Sequence, residues 1–475
     1  MTDLPTGWAW TTLGEIADST LGKMLDRGKD VVGGQAVPYL RNVNVQWGVV
    51  DLESLLDMEM TEEEERFFSL RHGDLLVCEG GEIGRAAVWK SPREGISFQK
   101  ALHRVRPCGG IDSRYLMYFF MHMAESGGLL RYATGSTIKH LPQQRLKTIE
   151  VPLPPLAEQH RIVAALEDHL SRVDAGEAAY STAARRLESF RRSALARAVD
   201  STQSNQPVYV QLGEVAKVRN GVFVSRAGSE PDGVPILRIG SVRPLSLNVD
   251  DFGYSRMSEE ELRDSEYLLA SGDLLFTRYN GNPDYVGACA VVEEGHLPLT
   301  YPDKLIRVSV DRRRAIPEFV AMQCTVGAAR AHIEERIRTT AGQAGISGRD
   351  LKSVPVWLPS IEEQRARVAE FKQLVMDTVR PASVAMEKVG VRAGHLRRAL
   401  LREAFAGRLV EQDLGDESAS VLLERIRVER GNAPKARRGR KAEAVKAEPV
   451  KEIDRDRPLP EPVGDGTQGA LDLGL

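Results

Sequence analysis

Two spacings of apolar residues alternate along this chain. Up to about Pro154, and again from about Val208 to Pro359, short β-branched runs are broken every few residues by Gly, Pro, Asn and Asp. Runs such as VPYLRNVNV and DLLVCEGG read as the strands and turns of compact α/β units. Each unit should hold one short helix, around Tyr115–Ala124 and Pro317–Val326, with its apolar face in a core. After VPLPPLAEQ and after WLPSIEEQ the punctuation thins, and apolar residues fall three and four apart. Val163, Leu166, Leu170 and Val173 form a narrow stripe that Tyr180, Ala184, Leu187, Ala194 and Ala198 extend. Val368, Phe371 and Val375 open a second stripe, which Leu396, Leu400 and Ala404 close. Stripes this narrow suit two long helices pairing with each other, antiparallel. Pro381, Gly390 and Gly394 should bend or break the second one.

Sliding the sequence against itself by about 200 residues shows why the pattern occurs twice. LGEIA (13–17) meets LGEVA (212–216), VPYLR (37–41) meets VPILR (234–238), and GDLL recurs at 73–76 and 272–275. IGRAAVW (83–89) faces VGACAVV (286–292), the P-x-x-x-EQ of Pro154–Gln159 faces Pro359–Gln364, and FRRSALARA (190–198) faces LRRALLREA (396–404). So many matches in one order mark a duplicated domain plus linker, since solenoid repeats run nearer 20–50 residues. The expected architecture is α+β, two α/β domains at 1–155 and 207–360, with long helices at 156–200 and 361–410. In residues 411–475, a short helix over Ala419–Arg430 leads into a tail almost without large apolar residues, expected to be disordered. Its basic patch, Lys435–Lys441, is expected to be solvated.

Composition narrows the function classes. A formal charge of −3 gives no whole-chain argument for nucleic acid, so positive surface must be local, as in Arg185–Arg192 and Arg392–Arg402. Cys78, Cys108, Cys289 and Cys324 never form C-x-x-C, which fits a reducing compartment and excludes zinc-ligand spacing. The start, MTDLPTGWAW, lacks the order of a signal peptide, and the longest apolar run, Tyr115–Met121, is far too short to span a bilayer. A cytoplasmic protein is expected, without metal or cofactor.

Catalytic signatures are missing too. Asn282–Tyr285, NPDY, comes nearest to the N-P-P-Y loop of a methyltransferase, but its third position is an acid and its repeat partner is GGEIG. GGEIG (80–84) lacks G-x-G-x-x-G spacing and precedes a strand where a dinucleotide loop requires a helix, so it reads as a turn. There is no G-x-x-x-x-G-K-[ST]. EEEE at 62–65 reads as a solvated helix start, and the histidines are unclustered.

The order LGEIA, YLRNVNV, GDLL, IGRAAV, TGSTIKHL, VPLPPLAEQHRIV and long helix, all repeated to about Val410, resembles type I restriction-modification specificity subunits. That resemblance implies two target-recognition domains, each reading one half of a split, asymmetric site in double-stranded DNA, with the helices as a spacer. It also implies partners, namely two modification subunits carrying methyl transfer and restriction subunits carrying nuclease and motor. The chain itself is then no enzyme; the alternatives are a stand-alone methyltransferase or nuclease with an unrecognised site, or a coiled-coil scaffold unrelated to DNA. The second half departs from the pattern, with TAGQAGIS (340–347) in place of TGSTIKHL and Pro381 in the spacer.

Reading a duplex needs Arg, Lys, Asn or Gln projecting from loops into the major groove. In the first domain the candidates are Lys23, Arg27, Lys29, Arg41, Asn42, Asn44, Gln46 and Trp47, then Ser136, Thr137, Lys139, His140 and Gln143. In the second they are Arg219, Asn220, Arg226, Arg238, Arg243, Arg278, Tyr279, Asn280, Gln343 and Arg349. Arg41 and Arg238 occupy matched repeat positions, which suggests a shared structural or backbone role for that pair.

Overall fold

The computed structural model describes residues 4–25, 34–203, 207–223, 233–340 and 342–432. The tail beyond 432, with its expected disorder and basic patch, lies outside the described residues. Of the elements that position the site, the first repeat contributes β1 (Ala17–Leu21), β2 (Leu75–Cys78), β3 (Ala86–Val88), β4 (Leu102–Pro107) and α1 (Ser113–Glu125), followed by α2 (Leu156–Ala198). The second contributes β5 (Ala216–Asn220), β6 (Leu274–Thr277), β7 (Cys289–Val291), β8 (Leu305–Val310) and α3 (Pro317–Thr325), then β9 (Arg338–Thr340) and β10 (Gln343–Gly345). After these come α4 (Ile361–Leu374), α5 (Arg380–Phe405) and α6 (Ala419–Asn432). None of the described helices is long and apolar enough to cross a membrane.

Each repeat builds the same four-stranded antiparallel sheet, in order β1-β4-β2-β3 and β5-β8-β6-β7. The central strands are buried on both faces, Leu75–Cys78 and Leu274–Thr277 throughout, which explains their unbroken apolar runs where a half-exposed strand would alternate. On one face lies α1 or α3, with Tyr115, Leu116, Phe119 and Phe120 buried in the first and Phe319, Val320 and Met322 in the second. Both expected short helices are therefore present, and their apolar faces are core.

The chain divides into two compact units, one holding residues up to Glu177 and from Val391, the other Ala178–Gly390. In unit 1, Leu166 and Leu170 of α2 share a core with Leu401, Ala404 and Phe405 of α5. In unit 2, Leu195 packs with Val368, Phe371 and Val375; the Arg367 guanidinium donates to the Ala198 carbonyl at 3.1 Å, and Gly390 lies under the Tyr180 ring. Within that unit an early residue of one helix meets a late residue of the other, so the pairing is antiparallel, as the stripes predict.

Two details of the second helix differ from expectation. Pro381 does not stop it; a π-helical turn, Val375–Val379, precedes Pro381, which sits second in α5. Proline supplies no N–H and crowds the carbonyl four residues back, and the widened turn absorbs both, while Gly390 and Gly394 run inside unbroken helix. The closing stripe is also rotated, because Leu396 is half exposed whereas Leu401 and Ala404 are buried. Arg397 faces inward instead, bonding Asp174 at 2.6 Å and Glu177 at 3.1 Å, and a one-residue step turns Leu396 about 100° away.

The C-terminal helix, set apart by the sequence boundaries, is part of unit 1. Ala419, Leu422, Leu423 and Ile426 of α6 are buried in the unit 1 core. The Ala419 N–H donates to the Gly7 carbonyl at 2.8 Å. The Arg430 guanidinium donates to the Gly14 and Glu15 carbonyls and to Asp18 (3.1, 2.8 and 2.6 Å).

Candidate nucleic-acid interface

In unit 1 the candidates gather around the turn between β2 and β3, Gly80–Gly84, where Gly81 and Gly84 take φ of +76° and +80°. The Trp47 indole N–H donates to Glu82 at 2.6 Å, and the Asn42 amide lies beside Gly81. A hairpin closes against the same turn. Thr134 and His140 exchange backbone hydrogen bonds at 2.8 and 2.9 Å, and the Leu141 N–H donates to the Glu79 carbonyl at 2.7 Å. Ser136, Thr137, Lys139 and His140 are all exposed on this hairpin. Gly135 has φ +91°, and a Cβ there would run into the Ile138 carbonyl oxygen, so only glycine makes this bend.

The hairpin rests on a buried support. His103 Nε2 donates to the Leu141 carbonyl at 2.8 Å, while Nδ1 has no hydrogen-bond partner among the described residues. Burial pushes the imidazole down to about 4, so it is neutral near pH 7. Burial raises the Glu79 carboxyl, against the pull of His140 and Lys100.

Unit 2 repeats this arrangement with different side chains. The Ile346 N–H donates to the Arg278 carbonyl at 2.9 Å, as Leu141 does to Glu79. Tyr279 pairs with Gly345 as Gly80 pairs with His140. The aromatic ring has changed strands: His140 packs over Gly80, whereas a Cβ on Gly345 would collide with the Tyr279 ring. Tyr279, Gln343 and Arg349 line one cleft with Arg336, Arg338 and Asp350. Burial alone would raise the Asp350 carboxyl, but hydrogen bonds from Ser347 and the charges of Arg338 and Arg336 hold it below its usual value. Beside this cleft, NPDY forms a short 3-10 turn, Pro283–Tyr285, at the place of GGEIG, and the Arg243 guanidinium lies 4.4 Å from the Tyr285 ring centre.

Several other candidates are engaged within the protein, and of these the buried Asn44 is a correction. Asn44 is fully buried, its side chain taking the Arg41 N–H at 2.9 Å and donating to Ser54 at 3.0 Å, so it reaches no base edge. Arg41 donates to the Ser54 carbonyl at 2.7 Å, and its match Arg238 pairs with Asp251 at 2.9 Å, in keeping with a shared structural role. Lys23 is ion-paired with Glu64. Gln143 donates to the Ser19 carbonyl at 2.6 Å. Arg219 is committed to Glu266, the Ser265 carbonyl and the Tyr267 ring face. Gln46 donates to its neighbour's carbonyl at Val43, Asn280 caps Asn282, and Arg278 reaches the Asp303 carbonyl at 3.2 Å. Asn220 is exposed, with its side-chain oxygen beside Gly348, between the cleft residues Ser347 and Arg349. Arg27, Lys29 and Arg226 lie outside the described residues.

Sequence reasoning missed Arg336 and Arg338, although the alternation R-I-R-T-T, with strand period, was there to find them. It also read P-x-x-x-EQ only as a helix start. Gln159 is fully buried, donates to the Pro154 carbonyl at 3.0 Å and accepts the Asp112 N–H at 3.2 Å. Gln364 repeats this with Pro359 at 2.9 Å and Ile316 at 2.8 Å, and adds the Arg314 carbonyl at 3.0 Å. Each glutamine locks a long helix to the start of α1 or α3.

Residues 5–178 match the family model described as type I restriction modification DNA specificity domain. The specificity subunit of the type I restriction enzyme EcoKI from Escherichia coli (strain K12) is 30% identical, over 94% of this chain and 99% of that one. The chain belongs to the type I restriction enzyme specificity subunits. The StySPI specificity subunit of Salmonella potsdam is 24% identical, over 90% of this subunit and 96% of its own length. Among solved structures, a chain from work on complex assembly and conformational transition of the type I R-M system superposes with a TM-score of 0.66 at 20% identity. It covers 86% of this specificity subunit and 100% of that chain, a likeness of fold.

Proposed function

We propose that this specificity subunit is the non-catalytic DNA-recognition component of a type I restriction-modification complex, with each unit reading one half of a bipartite, asymmetric duplex site. The observation that carries the reading is the duplication: one scaffold built twice presents a turn and a hairpin at matched places with unmatched exposed side chains. Ser136, Thr137, Lys139 and His140, with Asn42 and Trp47, form the reading edge of unit 1. Tyr279, Gln343 and Arg349, with Arg243, form that of unit 2. The paired helices scaffold two modification subunits, and restriction subunits join that assembly in the cytoplasm, where the chromosome is. The test is an exchange of residues 1–154 for the corresponding domain of a relative, followed by genome-wide mapping of methylated bases. One half of the motif should change while the other stays; a hybrid that folds and alters both halves together would refute independent reading.

A further inference from the structure

We propose that Arg338 and Arg349 read guanine in the half-site of unit 2, an inference resting on the recognition function just described. The two copies can be compared position by position because their backbone bonds fix the register. Arg338 stands opposite Gly345 as Thr134 stands opposite His140. Three residues beyond Ile346 and Leu141, which bond the same carbonyl position, lie Arg349 and Gln144. Unit 2 therefore carries arginine where unit 1 carries threonine and glutamine.

That difference bears on what the arginines contact. The sugar-phosphate backbone is the same at both half-sites, so groups that only position the protein on it are expected at matched places in both copies. Groups that read sequence differ between copies, because the two halves of an asymmetric site differ. Both arginines are exposed and, among the described residues, neither makes a close ion pair, Arg338 acting on Asp350 of the same cleft only through its charge, whereas Arg219 and Arg238 of the same unit contact Glu266 and Asp251 directly. Both line one cleft with Tyr279 and Gln343. A planar guanidinium donates two parallel hydrogen bonds, which matches the O6 and N7 acceptors that guanine presents in the major groove.

The experiment maps methylation made by the full complex carrying wild type, Arg338→Gln, Arg349→Gln, or the Lys variant at either position. For Gln, a position fixed as G·C in one half of the motif should become degenerate or change to A·T, because glutamine pairs with adenine, while the other half is unchanged. Methylation at the newly accepted sites should rise roughly 10- to 100-fold relative to cognate sites, the worth of one bidentate base contact. Lysine keeps the charge without the fork and should relax the same position while holding overall occupancy. Two outcomes overturn the inference: an unchanged motif with methylation lowered by one factor at every site, as a phosphate contact would give, or relaxation at an A·T pair. A wild-type complex that methylates no bipartite motif would instead remove the recognition reading itself.

Discussion

Replacing Gln364 with alanine tests the joint between recognition domain and spacer. The wild-type side chain is fully buried, accepts the Ile316 N–H, and donates to the Pro359 and Arg314 carbonyls. Alanine leaves that N–H and those two carbonyls without their partner in a place water does not reach, at about 1–3 kcal/mol for each group left unsatisfied. Each carbonyl keeps a second lone pair for other contacts, so the sum is discounted to about 3–5 kcal/mol. The matched Gln159 makes two such bonds where Gln364 makes three, so Gln159→Ala should cost about 1 kcal/mol less. Denaturant unfolding of the two variants measures the difference. Amide exchange at Ile316 gives a local reading, expected to quicken on the order of 10- to 100-fold in Gln364→Ala. Methylation by the complex should fall with it, since the recognition domain loses its fixed bearing on α4. A loss of stability under about 1 kcal/mol, with Ile316 exchange unchanged, would show that the motif is a helix start and nothing more.

Three further outcomes follow from the same geometry. Gly135→Ala forces a Cβ into the Ile138 carbonyl at φ +91°, so unit 1 should lose DNA binding while the unfolding midpoint hardly moves; retained methylation at the wild-type rate would count against the hairpin as a reader. His103 is neutral in the fold at about 4 against an ordinary 6.5, so its contribution of about 3 kcal/mol is complete above pH 6.5 and is lost as pH falls toward 4. His103→Gln should flatten the stability profile in that window, and an unchanged slope would show that the imidazole does not titrate there. Inserting four residues near Ala178 adds about one helical turn, roughly 6 Å, and should lengthen the gap between half-sites by one or two base pairs with both half-sequences kept; full activity at the original spacing would end the spacer model.

What the sequence determined by itself was whatever repeats over short range. Strand runs, the two short helices and the long amphipathic helices rest on spacings of a few residues, the duplication rests on short matched segments about 200 residues apart, and all are present in the folded chain. The tertiary structure decided what depends on partners far apart in sequence. That α6 closes the unit 1 core follows from Ile426 meeting Gly109 and Arg430 meeting Gly14, contacts across more than 300 residues that no local pattern records. That Asn44 is scaffold while Lys139 stays on the surface depends on Ser54 standing beside one, whereas the exposed ammonium of the other reaches the Gly135 carbonyl of its own hairpin, at 2.9 Å. Leu396 and Leu401 are equally apolar in sequence; the inward turn of Arg397 toward Asp174 decides which of them is buried. Periodicity fixes which residues share a face, but long-range packing fixes which way that face turns.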